Sequence, residues 1–196
     1  MTTNQNVKGI ETLRWKDGCL EMIDQRILPA KFEYIKYDSA MSVAQGIRDM
    51  VVRGAPAIGC AAAYGVALEA QKLKSESEEN FNNGMDKAFK ILAESRPTAV
   101  NLFWALERMK KKISDSGEVS PTALADILLV EAHEVLAEDI RINRTMGEFG
   151  AELIPDGARV LTHCNAGALA TGGHGTALGV FRSAVEAGKK ISVIAD

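Results

Sequence analysis

The sequence predicts an α/β chain, α+β overall. A mostly helical N-terminal part carries a small antiparallel β-hairpin region, and the start of a parallel sheet follows it. Three observations lead there. Lys16-Asp17-Gly18 stands between two strand-like runs, LRW and CLEMIDQRIL, and is a hairpin turn signal. Helix-spaced apolar residues then recur from Met41 to Leu153. Finally, RVLTHC (159–164), TALGVFRSAVEAGKK (176–190) and ISVIAD (191–196) read as strand, helix, strand. Such a unit gives two parallel strands with a right-handed crossover. The expected division is an N-terminal helical domain over 1–150 and the beginning of a second domain over 151–196.

FEYIKY (32–37) supplies a third N-terminal strand. Asp38 and Ser39 are N-cap candidates for a helix over 41–52, with Val43, Ile47, Met50 and Val51 at helical spacing. Gly54 and Pro56 interrupt it, and Pro56 suits the first turn of a second helix running to about Lys74. That helix is rich in Ala and Gly, so its backbone can approach a neighbour closely. SESEENFNNG (75–84) reads as a polar loop, and 85–94 as a short helix with Met85, Ala88, Phe89 and Leu92 on one face. Arg96-Pro97 opens the next helix, where Val100, Phe103, Leu106 and Met109 repeat every three residues. Lys110, Lys111 and Lys112 favour its C-terminal dipole. A Ser-Pro start leads into a long helix over 122–153. Its early stripe is Leu124, Ile127, Leu128, Glu131 and Val135; its late stripe is Ile142, Met146, Phe149 and Leu153. Pro155-Asp156-Gly157 is a turn before two buried-type strands. The helix between them should turn Leu178, Phe181 and Val185 inward and end at Gly188.

Composition narrows the function. Hydrophobic residues make up 46% and charged residues 25% of 196, a globular balance. A net charge of -3 leaves no basic surplus to neutralise phosphates, which argues against a nucleic-acid partner. Three cysteines, Cys19, Cys60 and Cys164, without a CxxC pair fit a reducing cytosol and a cytoplasmic protein. The N-terminus lacks an apolar signal-peptide core, and no apolar run approaches the roughly 18 residues of a membrane span. The chain stops at ISVIAD, an apolar strand whose open edge predicts poor solubility or pairing with another chain.

Two arginines stand before expected helix starts, Arg53 in RGAP and Arg96 in SRPT. Helix N-termini attract anions, and an adjacent guanidinium adds donors matched to phosphate. Each arginine can equally cap a neighbouring helix or pair with a surface carboxylate. The end of RVLTHC places Cys164 at the carboxyl end of a parallel strand, where ligands of open α/β sheets bind. Cys164 is then either a nucleophile or acid/base, or a buried inert thiol. Cys60 and Cys19 fit the inert role. The glycine-rich stretch after Cys164 is a phosphate cradle in principle. A dinucleotide fingerprint wants its first glycine directly after the strand, but eight residues separate Cys164 from Gly173, which argues against NAD. His163, Cys164 and His174 lack metal-ligand spacing, and His133 reads as a surface or helix-packing residue.

DMVVRGAPAIGCAAAYGVAL (49–68), SRPTAVNLFWAL (95–106) and LTHCNAGALATGGHGTALGVFRSA (161–184) resemble the methylthioribose-1-phosphate isomerase family. Its superfamily includes ribose-1,5-bisphosphate isomerase and the regulatory subunits of translation initiation factor 2B. The resemblance runs from about Leu13 to Asp196. It implies an aldose-to-ketose isomerisation in methionine salvage, without metal or organic cofactor, on a small sugar phosphate. It further implies a homodimer in which a Rossmann-like domain follows the helical one. Arg53, Gly54 and Ala55 match the family's substrate-binding RGA, Arg96 its second substrate-binding arginine, and Cys164 its catalytic cysteine. The family's acid, an aspartate, and further substrate contacts would lie beyond residue 196. Residues 1–196 alone are therefore expected to lack useful turnover. The alternatives that the resemblance leaves are the bisphosphate isomerase and a non-catalytic regulatory subunit.

Overall fold

A computed structural model describes residues 9–196. Strands β1 (Leu13–Lys16), β2 (Cys19–Ile23) and β3 (Tyr34–Tyr37) form an antiparallel sheet in that order. Asp17 and Gly18, at φ 51° and 76°, make the two-residue turn with both central residues left-handed that suits the twist of a hairpin. β2 stops at Ile23, short of the expected strand through Leu28. The Asp24 carboxylate accepts bonds from the Arg26 backbone (3.0 Å) and its guanidinium (2.8 Å), a local turn that competes with the ladder.

Helix α1 (Ala40–Arg48) is capped by Ser39 in a reciprocal box with Ser42. Helix α2 (Ala55–Leu73) is the centre of the molecule and is buried on nearly every side. Its glycines permit this. A Cβ on Gly59 would stand 3.0 Å from the Asn101 carbonyl oxygen, and one on Gly65 would press on Leu92 and Val43. Helix α3 (Glu78–Ala93) replaces most of the expected polar loop. Ser77 caps it by accepting from the Asn80 amide, Glu78 and Glu79 suit the dipole, and buried Phe81 extends the apolar face one turn upstream of Met85. One anchor and a cap outweigh the polar composition.

In helix α4 (Val100–Asp115) the buried stripe is Leu102, Ala105, Leu106 and Met109, while Val100 and Phe103 are exposed. A strict three-residue repeat drifts about 60° around the helix per step, so it cannot hold one face. Helix α5 (Pro121–Glu152) buries Leu124, Leu128, Glu131 and Val135 as expected, with Ile127 partly buried. The buried Glu131 accepts from Arg108 Nε at 2.6 Å and lies 3.0 Å from Lys112 Nζ; Arg108 also reaches Glu138. Burial pushes the Glu131 carboxyl up, but the two cations outweigh it and hold it below its ordinary value. This pair therefore stabilises the fold above the ordinary carboxylate range and loses that contribution as pH falls below it. Arg108→Ala is expected to cost roughly 1–3 kcal/mol near neutral pH, since it leaves Lys112 as the one cation beside a buried carboxylate. Chemical denaturation at neutral and acid pH checks this: the gap to wild type should shrink in acid.

The late stripe of α5 corrects the sequence reading. Ile142, Met146, Phe149 and Leu153 are exposed, up to 84% at Leu153. The face turned inward carries Asn143, Gly147 and Ala151 instead, against helix α6 (Ala177–Glu186). The two helices approach too closely for side chains: a Cβ on Gly147 would sit 2.5 Å from Ser183 Oγ, and one on Gly150 2.6 Å from Val180. Helix α6 answers with Gly179, Ser183 and Ala184, leaving Leu178 and Phe181 partly buried and Val185 exposed. Strands β4 (Arg159–Thr162) and β5 (Ser192–Ala195) pair in parallel, Val160 opposite Val193. Among the described residues Leu161, Val193 and Ile194 are about half exposed or more. Val160, Ile191 and Phe181 gather with Ala151, Ile154 and Ala184 on one side of this two-stranded sheet. The larger core lies around α2, from the β1–β2 hairpin to α5.

Candidate active site

The segment from His163 to Thr176 joins β4 to α6. Cys164 follows the strand at φ 71°, in the left-handed region that residues with a side chain seldom occupy, and it is exposed. The buried-thiol alternative therefore does not hold for Cys164. Cys60 is buried in α2 and burial pushes its thiol far up, so it remains protonated. Cys19 is half-buried on β2.

The middle of the segment, a short turn at Ala168–Ala170, is tied down from several directions. Thr12 Oγ1 donates to the Ala168 carbonyl at 2.7 Å, and Gln25 Nε2 to that of Leu169 at 2.8 Å. The Thr171 hydroxyl accepts from the amides of Gly173 (3.2 Å) and Gly175 (3.0 Å). The Gly172 amide donates to Asp139 Oδ2 at 2.5 Å. These glycine amides are engaged within the protein, which corrects the phosphate-cradle expectation. The glycines serve close packing, as at Gly175 (φ 97°), where a Cβ would stand 2.8 Å from the Gly167 carbonyl carbon. Asp139 also accepts from Asn143 Nδ2 at 3.0 Å. Burial raises its carboxyl above the ordinary range against these two bonds. Sequence reasoning missed Thr12, Gln25 and Asp139. The one available signal was the Asp139–Asn143 pair at i, i+4, polar residues on one helix face.

Gly54, the N-cap of α2, has φ 93° and abuts this segment: a Cβ there would fall 2.5 Å from Ala170 Cα. The Arg53-Gly54-Ala55 junction is thus packed against the loop that begins at Cys164. No side chain caps α2. Arg96 does not open α4 directly. A turn over Pro97 and Thr98, closed by the Ala99 amide on the Arg96 carbonyl (3.0 Å), separates it from Val100. Gly59, in the second turn of α2, touches Asn101 in the first turn of α4, so the N-terminal ends of the two helices lie near each other. Among the described residues neither arginine holds an ion pair or a side-chain hydrogen bond, and no hydrogen bond joins Cys164 to either.

Beside these helix starts lies a cleft of about 290 Å³, lined by Pro56, Cys60, Asn101, Trp104, Val135, Glu138, Asp139 and Ile142. His133 Nδ1 shares a 2.8 Å hydrogen bond with the Tyr64 hydroxyl next to Trp15, the helix-packing role expected of it. His163 Nδ1 and Asp196 Oδ2 are 2.8 Å apart at the surface next to Cys164. Among the described residues no group of three or more His, Cys, Asp or Glu is arranged to hold a metal ion, and no helix is long and apolar enough to cross a membrane.

The sequence model of the Initiation factor 2 subunit family matches residues 51–196. The chain is 64% identical over 188 residues to a methylthioribose-1-phosphate isomerase of Albidiferax ferrireducens, covering 96% of this chain and 53% of that one. It is 55% identical to the protein of that name from Syntrophotalea carbinolica, covering 96% and 55%. It thus spans about half the length of the curated relatives it matches. Among solved structures it resembles 5-methylthioribose 1-phosphate isomerase from Pyrococcus horikoshii (TM-score 0.89, 38% identity, 96% of this chain and 60% of that one). It also resembles translation initiation factor eIF-2B subunit delta from A. fulgidus (TM-score 0.85, 46% identity, 95% and 54%).

Proposed function

The chain belongs to the initiation factor 2 subunit family, and from that membership we propose that it serves as a methylthioribose-1-phosphate isomerase. The reaction breaks the ring bond between C1 and O4, O4 gains a proton as the C2 hydroxyl gives one up, and a hydrogen moves from C2 to C1. C2 becomes a carbonyl, and C1 a CH2 that keeps the phosphate. The observation that carries this reading is the placement of an exposed, left-handed Cys164 at the head of a loop seated on Gly54 of the RGA junction. The names of the relatives, at up to 64% identity, support it.

In this reading Arg53 and Arg96 hold the phosphate together with the uncapped amides of α2, including those of Gly54 and Ala55. Guanidiniums and oriented amides fix the anion and compensate charge that develops beside it. Cys164 exchanges a proton with the sugar. The same reading carries methionine salvage, a cytoplasmic homodimer, and a division into a helical domain over 1–150 and a Rossmann-like domain beginning at 151. A regulatory subunit without catalysis is the competing assignment, supported by the likeness to eIF-2B subunit delta; an exposed Cys164 favours the enzyme.

The test is binding and turnover of methylthioribose 1-phosphate by the complete gene product. Arg53→Ala and Arg96→Ala should each weaken binding by about 10–100-fold, the loss of one charge-assisted contact. Binding unchanged in both variants, or no isomerisation by the unmodified protein, would overturn the assignment.

A further inference from the structure

The cleft beside the first turns of α2 and α4 has no role in the phosphate-holding scheme, yet it lies next to it. Pro56 is the second residue of α2, directly after the RGA junction, and Asn101 is in the first turn of α4. Asp139, on the opposite wall, is the residue that holds the Cys164 loop through Gly172. At about 290 Å³ the cleft is at the lower end of the size range of ligand pockets, roughly 300–1,000 Å³. It suits one part of a ligand rather than the whole.

Its walls are selective. Pro56, Cys60, Val135 and Ile142 are apolar, and Trp104 presents a ring that is 50% exposed. The charges are one-sided. Glu138 and Asp139 line the cleft. Arg108, 5.5 Å from the Trp104 ring centroid, is already bound to Glu131 and Glu138. A second phosphate placed here would face two carboxylates and no free cation among the lining residues. An uncharged apolar group would meet the ring and the aliphatic walls.

We propose that this cleft receives the apolar 5-substituent of the sugar and rejects a 5-phosphate, with Trp104 as the specificity-determining wall. The proposal rests on the isomerase assignment and deepens it: it separates the methylthio sugar from ribose 1,5-bisphosphate on this chain's own residues.

Calorimetry on the complete gene product with 5-methylthioribose 1-phosphate, ribose 1-phosphate and ribose 1,5-bisphosphate tests it. The unmodified protein should prefer the methylthio sugar to ribose 1-phosphate by about 10–200-fold, the range for one apolar group in a fitted pocket. Trp104→Ala should reduce that preference at least about tenfold while leaving the ribose 1-phosphate affinity in place. Ile142→Ala, at an exposed position, provides the same readout should Trp104→Ala fail to fold. Glu138→Gln should improve bisphosphate binding relative to the methylthio sugar. A preference that stays the same in the Trp104 and Ile142 variants overturns the proposal while the isomerase assignment stands. Failure to bind any of the three sugars removes both.

Discussion

Replacing Cys164 by alanine in the complete gene product should lower isomerase turnover by about 100–10,000-fold, the usual contribution of a positioned acid or base, with KM changed little. The expectation starts from backbone geometry. A left-handed φ of 71° at a residue with a side chain is unfavourable by about 1–3 kcal/mol, and such residues gather where function requires them. Here Cys164 stands two residues past the end of β4 with its thiol exposed. The loop behind it is fixed by Thr12, Gln25, Asp139 and Gly54, so the thiol is presented by a rigid support. The other cysteines supply the control. Cys60 is buried with its thiol held protonated, so alkylation should spare it while modifying Cys164 and stopping turnover. Methylthioribose 1-phosphate should protect Cys164 from the reagent. Turnover near the unmodified rate in Cys164→Ala, in protein with an unchanged melting temperature, would remove Cys164 from the chemistry.

The N-terminal hairpin, the Ser39 cap, the proline start of α2 and the parallel strand–helix–strand order were legible because each follows from local chemistry. Turn residues and caps act within a few positions, and the sequence displays them. The errors came where distant contacts decide. Ile142, Met146, Phe149 and Leu153 have ideal helical spacing, yet the face of α5 that packs is set by Gly147 and Gly150, whose small size admits α6. Hydrophobic spacing alone cannot tell which face of a helix a given neighbour will pack against. The site divides in the same way. Arg53, Arg96 and Cys164 stood out as chemistry-bearing residues at element ends. Thr12, Gln25 and Asp139, which hold the loop in place, lie as much as 156 positions from the atoms they bind. No local pattern encodes such a pairing.

Gly54→Ala should be the most damaging single-methyl change at the site, lowering stability by about 2–5 kcal/mol and the melting temperature by about 5–15 °C. Two costs coincide there. The backbone at φ 93° and ψ 137°, a positive-φ extended conformation outside the left-handed helical region, disfavours any side chain by about 1–3 kcal/mol. The new Cβ would then lie 2.5 Å from Ala170 Cα and 2.6 Å from the Ala170 carbonyl oxygen, backbone that cannot rotate away. Relief requires the loop to retreat, stretching the bonds from Thr12 to Ala168 and from Gln25 to Leu169. Gly18→Ala lacks the second cost. It also has a positive φ, 76°, but nothing lies within 4 Å of its Cβ position, so it should show a conformational cost alone. The difference in melting temperature between the two variants contains the contact between the RGA junction and the Cys164 loop together with the less permissive backbone of Gly54. Equal melting temperatures would mean that the loop yields at no cost. Because Cys164 heads that loop, a large difference should be accompanied by loss of turnover in Gly54→Ala and full turnover in Gly18→Ala. Under the proposed isomerase assignment, that outcome would make rigid packing at Gly54 the link between the phosphate held at Arg53 and the proton exchanged at Cys164.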